Sequence, residues 1–336
     1  MPVNIDLADA SNALLFAAVI LYALAMLAYA CDFAFARQRL LAGVDAAPAL
    51  VAVGADAVAV PAPADPGRQA VWTAGDQRGR WPTGPWLRTA FGLTCIGLAC
   101  HVLSILARGL AEHRTPWGNM YEFLTAITCM AVLVLVAASV RYRAYYMGLF
   151  VLVPVVLTLG IDLTTIYTPA GSLVPALQSY WIAIHVTAMI VASGLFIFGV
   201  VVTTLYLVAD RSERRVAAGQ PSWSAGILQH LPRSVVLDRL SYRSILFAFP
   251  VWTFGVMAGA IWADHAWGRY WGWDPKETWS FITWVAYAMF LHARATAGWR
   301  GKRAAWIHLA GFVCLMFNLV GVNLWITGLH SYAGMP

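Results

Sequence analysis

The stretch IAIHVTAMIVASGLFIFGVVVTTLYLV, from Ile182 to Val208, runs 27 residues without one Asp, Glu, Lys or Arg. A helix of that length exceeds the roughly 20 residues needed to cross the hydrocarbon of a bilayer. Working outward, seven further stretches meet or approach the same length: 11–31, 89–108, 121–140, 145–161, 245–263, 280–297 and 305–327. The segment 145–161 is short and holds Pro154, so it is expected to tilt, kink or begin earlier. With 60% apolar residues, 11% charged ones and a mean hydropathy of +0.67, the 336-residue chain lies outside the range of soluble globular domains. The expected fold is an all-α integral membrane protein of about eight transmembrane helices, one polytopic domain over 1–336.

Charge placement orients these spans. The segments after the first, third, fifth and seventh hold 18 of the 22 basic residues, from Arg37 to Arg303. The other four, Arg108, Arg114, Arg269 and Lys276, fall on the opposite side. The positive-inside rule then places both termini outside the cytoplasm. The net charge of +6 follows from this sidedness and requires no nucleic-acid partner. Asp6 and Asp9, with no basic residue ahead of the first apolar stretch, do not make the positive n-region of a cleaved signal peptide, so the first span is expected to stay. Residues 43–88 are expected to form a flexible cytoplasmic linker, low in complexity over 43–69, with a surface-lying amphipathic piece as the alternative. The basic loop 209–243 is expected to lie near anionic lipid head groups. No internal repeat is visible, which argues weakly against the inverted-repeat layout of many secondary transporters.

On the outer side, between two apolar segments, stands Trp267-Gly268-Arg269-Tyr270-Trp271-Gly272-Trp273-Asp274-Pro275-Lys276-Glu277-Thr278-Trp279. Four tryptophans and a tyrosine offer more π surface than membrane anchoring needs. Gly268 and Gly272 allow the backbone to approach a flat ligand, and Arg269 and Lys276 can meet anionic substituents on its edge. Haem has these features: an apolar disc, two propionates and an iron that takes axial ligands. An aromatic belt at a bilayer interface accounts for tryptophan in general, but not for Asp274-Pro275 and Lys276-Glu277 at set places within the run.

The run resembles the tryptophan-rich WWD motif of the superfamily of haem-handling membrane proteins, which includes CcmC and CcmF of System I and CcsA, or ResC, of System II. Length, eight helices, outer termini, the WWD loop over 264–279 and the flanking histidines are similar to the CcsA-type family; CcmC-type proteins are shorter and CcmF-type proteins much longer. The 43–69 insert has no counterpart in the family pattern. The resemblance implies that His185 and His330, one on each side of the motif, are axial ligands of haem iron at the outer surface, against Trp267, Trp271, Trp273 and Trp279. It also implies that His292, about 11 residues into the seventh span, meets haem from the cytoplasmic side, its opposite ligand coming from a ResB-like partner subunit. Taken alone, each histidine also reads as a capping, interfacial or snorkelling residue. His101 and His308 read as packing histidines, and His113, His230 and His265 as loop residues.

A second resemblance lies in Thr115-Pro116-Trp117-Gly118-Asn119-Met120-Tyr121-Glu122-Phe123, similar to an outer-loop segment of CcsA-like and CcmF-like proteins. Asn119, Tyr121 and Glu122 either line the haem site or receive apocytochrome, or they form a helix start with Asn119 as cap and Glu122 three residues on; these readings are open. Asp274 and Glu277 read as helix-capping and Lys276-pairing groups, with acid–base roles as the alternative. The five cysteines, Cys31, Cys95, Cys100, Cys129 and Cys314, read as small core residues, and without a C-x-x-C-H motif the chain is not itself a cytochrome c.

The resemblance implies a subunit that carries haem b across the bacterial inner membrane and presents it for thioether attachment to the C-x-x-C-H motif of apocytochrome c. It would do so within a holocytochrome c synthase, or haem lyase, complex. The alternatives are a CcmC-like haem exporter that hands haem to a separate chaperone, and a bis-histidine electron-transfer cytochrome.

Overall fold

The computed structural model describes residues 3–45, 84–171, 177, 179–220, 232–296 and 298–330, with only the backbone over 36–45. Among the described residues eight long helices follow one another: α1 (Ile5–Asp45), α2 (Pro85–Glu112), α3 (Met120–Tyr142), α4 (Gly148–Ile161), α5 (Tyr180–Ala217), α6 (Ser234–Trp267), α7 (Pro275–Ala295) and α8 (Lys302–Met316). There is no strand among the described residues. Of the eight helical runs, all but α7 are long and apolar enough to cross a membrane. The chain is an all-α integral membrane protein. Hydroxyl, aromatic and histidine side chains such as Ser280, Thr283, Trp284 and His292 dilute the apolarity of α7.

The short fourth span is longer than its apolar run. A 3-10 turn at Tyr145–Met147 precedes α4 and a π turn at Asp162–Ile166 extends it, while Pro154 stays inside the helix. A second π turn, Phe317–Gly321, carries α8 on to Val322–Trp325. The expected linker lies mostly outside the described residues; its two ends, 43–45 and 85–88, belong to α1 and α2.

Local chemistry sets the helix ends. Asn119 Oδ1 accepts the Glu122 amide at 2.9 Å and caps α3. Ser179 caps α5, and Pro85 and Pro275 open α2 and α7 where a missing N–H costs nothing. Lipid supplies no hydrophobic drive between helices, so small residues and polar bonds hold them together. Between α1 and α2, Ser11 Oγ donates to the Ser104 carbonyl and Ser104 Oγ to the Ser11 carbonyl, each at 2.8 Å, and Tyr22 lies against Gly97. A second core joins α5 to α8, where Phe196 stacks on Tyr287 with centroids 3.8 Å apart.

Four buried charges join the ends of α2 and α3. Arg108 meets Glu112 at 3.0 Å and Glu122 at 3.2 Å; Arg114 meets Glu112 at 2.8 Å and Glu122 at 2.9 Å. Glu122 also accepts the Gly118 amide at 2.7 Å, which draws the 113–119 loop onto the bundle. Removing one member of such a network strands its partners in a low dielectric. Glu122→Ala is therefore expected to lower stability by about 3–5 kcal/mol, read as a fall in the thermal unfolding midpoint of the detergent-solubilised protein. An unchanged midpoint would show that water reaches the cluster.

Candidate functional site

Gly255 and Gly259 lie four residues apart on α6 and face α5. A Cβ on Gly255 would come 3.0 Å from Met189 Sδ and 3.3 Å from Ala188 Cβ; one on Gly259 would come 2.7 Å from Cε1 of His185. This small-x-x-x-small pair lets the two backbones approach closely. The His185 ring can then rest on α6, where its Nδ1 donates to the Gly255 carbonyl at 2.7 Å. A carbonyl can only accept, so the lone pair of this imidazole sits on Nε2. Trp262 lies nearly parallel to it, with ring centroids 6.1 Å apart and planes 8° off.

After Gly268 (φ 69°) ends α6, the chain makes a tight loop to Asp274. Trp273 adopts φ 59°, a left-handed conformation uncommon for a side chain of its size. The Arg269 guanidinium occupies the place a Cβ on Gly272 would take, so a side chain there would displace it. Glu277 Oε2 accepts the Gly272 amide at 2.8 Å and the Asp274 amide at 3.1 Å, and Asp274 completes a capping box at the start of α7. The free carboxylate edge of Asp274 receives the segment after α8: Oδ1 accepts the Leu329 amide and Oδ2 accepts His330 Nδ1, both at 2.7 Å.

Burial pushes the Asp274 carboxyl upward, yet the bonds from His330 and Leu329 hold it below the usual carboxylate range. Burial pushes the His330 imidazole below its ordinary value, and the Asp274 bond opposes that shift without reversing it. The pair is thus an ionised carboxylate and a neutral imidazole with its proton on Nδ1.

His185 and His330 line one cavity, partly open and mostly apolar, of the concave kind that small-molecule sites use. Its aromatic wall includes Trp117, Trp252, Trp262, Trp267, Tyr270 and Trp271; Lys276 and Glu277 are also on the wall, and Ser280 and Asn318 bring polar groups to it. Trp267 stands edge-on to His330, centroids 4.9 Å apart, and Trp262 is 5.8 Å from the same ring. Aromatic planes with two histidines on the same wall are the kind of lining that a flat apolar ligand fits.

Of the residues singled out from the sequence, the cavity wall holds His185, His330, Trp267, Trp271, Lys276, Glu277 and Asn119. Asp274 sits behind His330. Arg269, 3.9 Å from Glu277, lies over Gly272. Trp273 points out, 66% exposed, and Trp279 packs on Phe317 at 4.2 Å. None of these four is on the wall. Tyr121 is buried beneath Arg108, and Glu122 belongs to the ion network, so Asn119 does cap α3 but Glu122 reaches Gly118 rather than completing the box. His292 is exposed on α7, away from the cavity. Sequence reasoning missed Trp117, Trp252, Trp262 and Asn318, and the glycine pair at 255 and 259 was the signal for the α5–α6 contact.

A helical bundle with an aromatic cavity, two oriented imidazoles on its wall and a capped loop at its rim defines a multi-pass membrane protein with a built small-molecule site. The profile of the family described as Cytochrome C assembly protein matches residues 117–330, and the chain belongs to that family. It is similar to the cytochrome c biogenesis protein CcsA of Guillardia theta, 36% identical over 251 residues, covering 70% of this chain and 83% of that protein. With CcsA of Gloeobacter violaceus it shares 33% identity over 305 residues, covering 74% and 90% of the two chains. Among solved structures, cytochrome c haem lyase CcmF has a TM-score of 0.52 at 16% identity, covering 99% of this chain and 53% of that one, a likeness of fold.

Gly259→Val is expected to force the His185 ring off the Gly255 carbonyl. The overpacking should cost roughly 1–3 kcal/mol, with a lower unfolding midpoint and altered His185 ring resonances in the labelled protein. Wild-type resonances would refute the close packing described here.

Proposed function

We propose that the chain takes part in cytochrome c biogenesis as the haem-transporting and haem-presenting subunit of a System II cytochrome c synthase. One observation carries the reading: two imidazoles, each with Nδ1 bonded to an acceptor and its lone pair on Nε2, line one aromatic cavity. Haem b is the cargo. His185 and His330 are its axial ligands, Trp267 and Trp271 cover its faces or edges, and Lys276 meets a propionate. The loop over 264–279 is the haem-binding segment, and the basic residues gathered at the other end of the bundle support an extracytoplasmic cavity. The similarity to CcsA of the bacterium Gloeobacter violaceus and the preference for Arg over Lys support a bacterial inner membrane.

The chemistry asked of the protein is modest. Each apocytochrome thiol adds across a haem vinyl group: a C–S bond forms, the vinyl π bond is lost, and the thiol proton ends on the neighbouring carbon, with no net oxidation. The C-x-x-C-H histidine then takes one axial position. The cavity contributes orientation and protection of the iron, so the rate gain comes from proximity rather than from a dedicated base. His292, exposed on α7, is the haem ligand on the cytoplasmic side, and its exposure suits an opposite ligand from a ResB-like partner.

His185→Ala and His330→Ala are each expected to lose bound haem or change its ligation band, with added imidazole restoring both. His292→Ala is expected to reduce haem loading without altering the spectrum of what remains. A colourless preparation that still matures cytochromes at the full rate would remove the basis of this function. Handing haem on to a separate chaperone, with no thioether bonds formed by the purified complex, would favour the exporter alternative.

A further inference from the structure

We propose that Asp274 is a positioning residue that makes the two axial ligands unequal, backing His330 with an anion while His185 is backed only by a neutral carbonyl. The inference deepens the function proposed above and rests on His185 and His330 ligating iron.

The Asp274 carboxylate has supports of its own, apart from His330. Asp274 is 8% exposed, its amide donates to Glu277, and Pro275 follows it at the start of α7. Its two oxygens are then spent on the segment beyond α8: Oδ1 on the Leu329 amide, Oδ2 on His330. Gly328 lets the chain come this close, since a Cβ there would lie 2.7 Å from Oδ1. The last described helical turn ends at Trp325, and His330, in a turn beyond it, is bonded through Nδ1 to Asp274. His185, in contrast, is carried by α5 and held against α6 by close packing and the Gly255 carbonyl.

The difference is chemical as well as mechanical. A carboxylate accepting the Nδ1 proton makes a charge-assisted bond and raises the basicity of Nε2, as outer-shell carboxylates do for metal-bound histidines. A backbone carbonyl does so more weakly. His330 is therefore the stronger donor to iron, and it favours the ferric state of the cargo more than a second carbonyl-backed histidine would.

Asp274→Asn in the full chain, purified with haem, separates charge from capping, because Asn is itself a good N-cap. Haem is expected to stay bound with a higher reduction potential, and exogenous imidazole is expected to compete for the iron at about 10–100-fold lower concentration. The second test uses His330→Ala. Imidazole should restore haem ligation at about 10–100-fold lower concentration than 1-methylimidazole, which has no N–H for Asp274 to receive. In His330→Ala/Asp274→Asn that advantage should vanish, an outcome a purely structural aspartate would not produce.

If Asp274→Asn leaves both potential and competition unchanged, or if the two imidazoles rescue alike, Asp274 does not act through His330. That failure is distinct from failure of the ligand reading, in which His330→Ala itself would leave the haem spectrum unaltered.

Discussion

The close approach of α5 and α6 sets the shape of the cavity. In hydrocarbon the two helices gain nothing from escaping water, so their contact depends on dispersion between matched surfaces and on the few polar bonds available. Gly255 and Gly259 remove the side chains that would hold the backbones apart, and Ala188, Met189 and His185 move into the space. One bond, from His185 Nδ1 to the Gly255 carbonyl, then fixes the plane of an imidazole against α6. With α6 held this way, Trp252, Val256, Trp262 and Trp267 turn toward the cavity from successive turns of the same helix.

The rim is built on a different principle. The loop between α6 and α7 has few residues and several demands: a left-handed exit at Gly268, a guanidinium laid over Gly272, and a helix start at Asp274. Glu277 satisfies two loop amides, so the loop is braced by the helix it introduces. Asp274 caps α7 with its side chain, in the capping box with Glu277, and holds the Leu329–His330 segment with the same carboxylate. The distant end of the chain is thereby joined to the loop by two short bonds.

At the same end of the bundle, the Arg108, Glu112, Arg114 and Glu122 network does for the α2–α3 loop what Asp274 does for the last segment. It is unused by the proposed chemistry. Its effect is positional: with Gly118 bonded to Glu122 and Asn119 capping α3, the Trp117–Met120 segment is brought to the cavity wall. Buried ion networks of this kind are poor sources of stability compared with apolar packing, but they admit few alternative arrangements.

The helices were legible from composition because a bilayer imposes a length and forbids unpaired backbone, so an apolar run of sufficient extent has one stable outcome. The aromatic loop was legible for the opposite reason: its Trp, Gly, Asp-Pro and Lys-Glu pattern is too costly to keep in a connector without a use. Which of its tryptophans face inward was not legible. Trp271 and Trp273 are two residues apart, yet a positive φ at Trp273 sends that ring outward, and Trp279 turns with α7 toward Phe317. Trp262 and Trp252 were hidden inside a span, where a tryptophan looks the same whether it meets lipid, another helix or a cavity. The sequence by itself determined an all-helical membrane chain and where its apolar runs lie, although α5 and α6 extend well past the expected ends and α7 falls short of the apolarity of a crossing. Only the tertiary structure decided that His185 and His330 meet in one cavity and that Asp274 stands behind one of them, because those facts depend on helix rotation and backbone approach, which no single segment encodes.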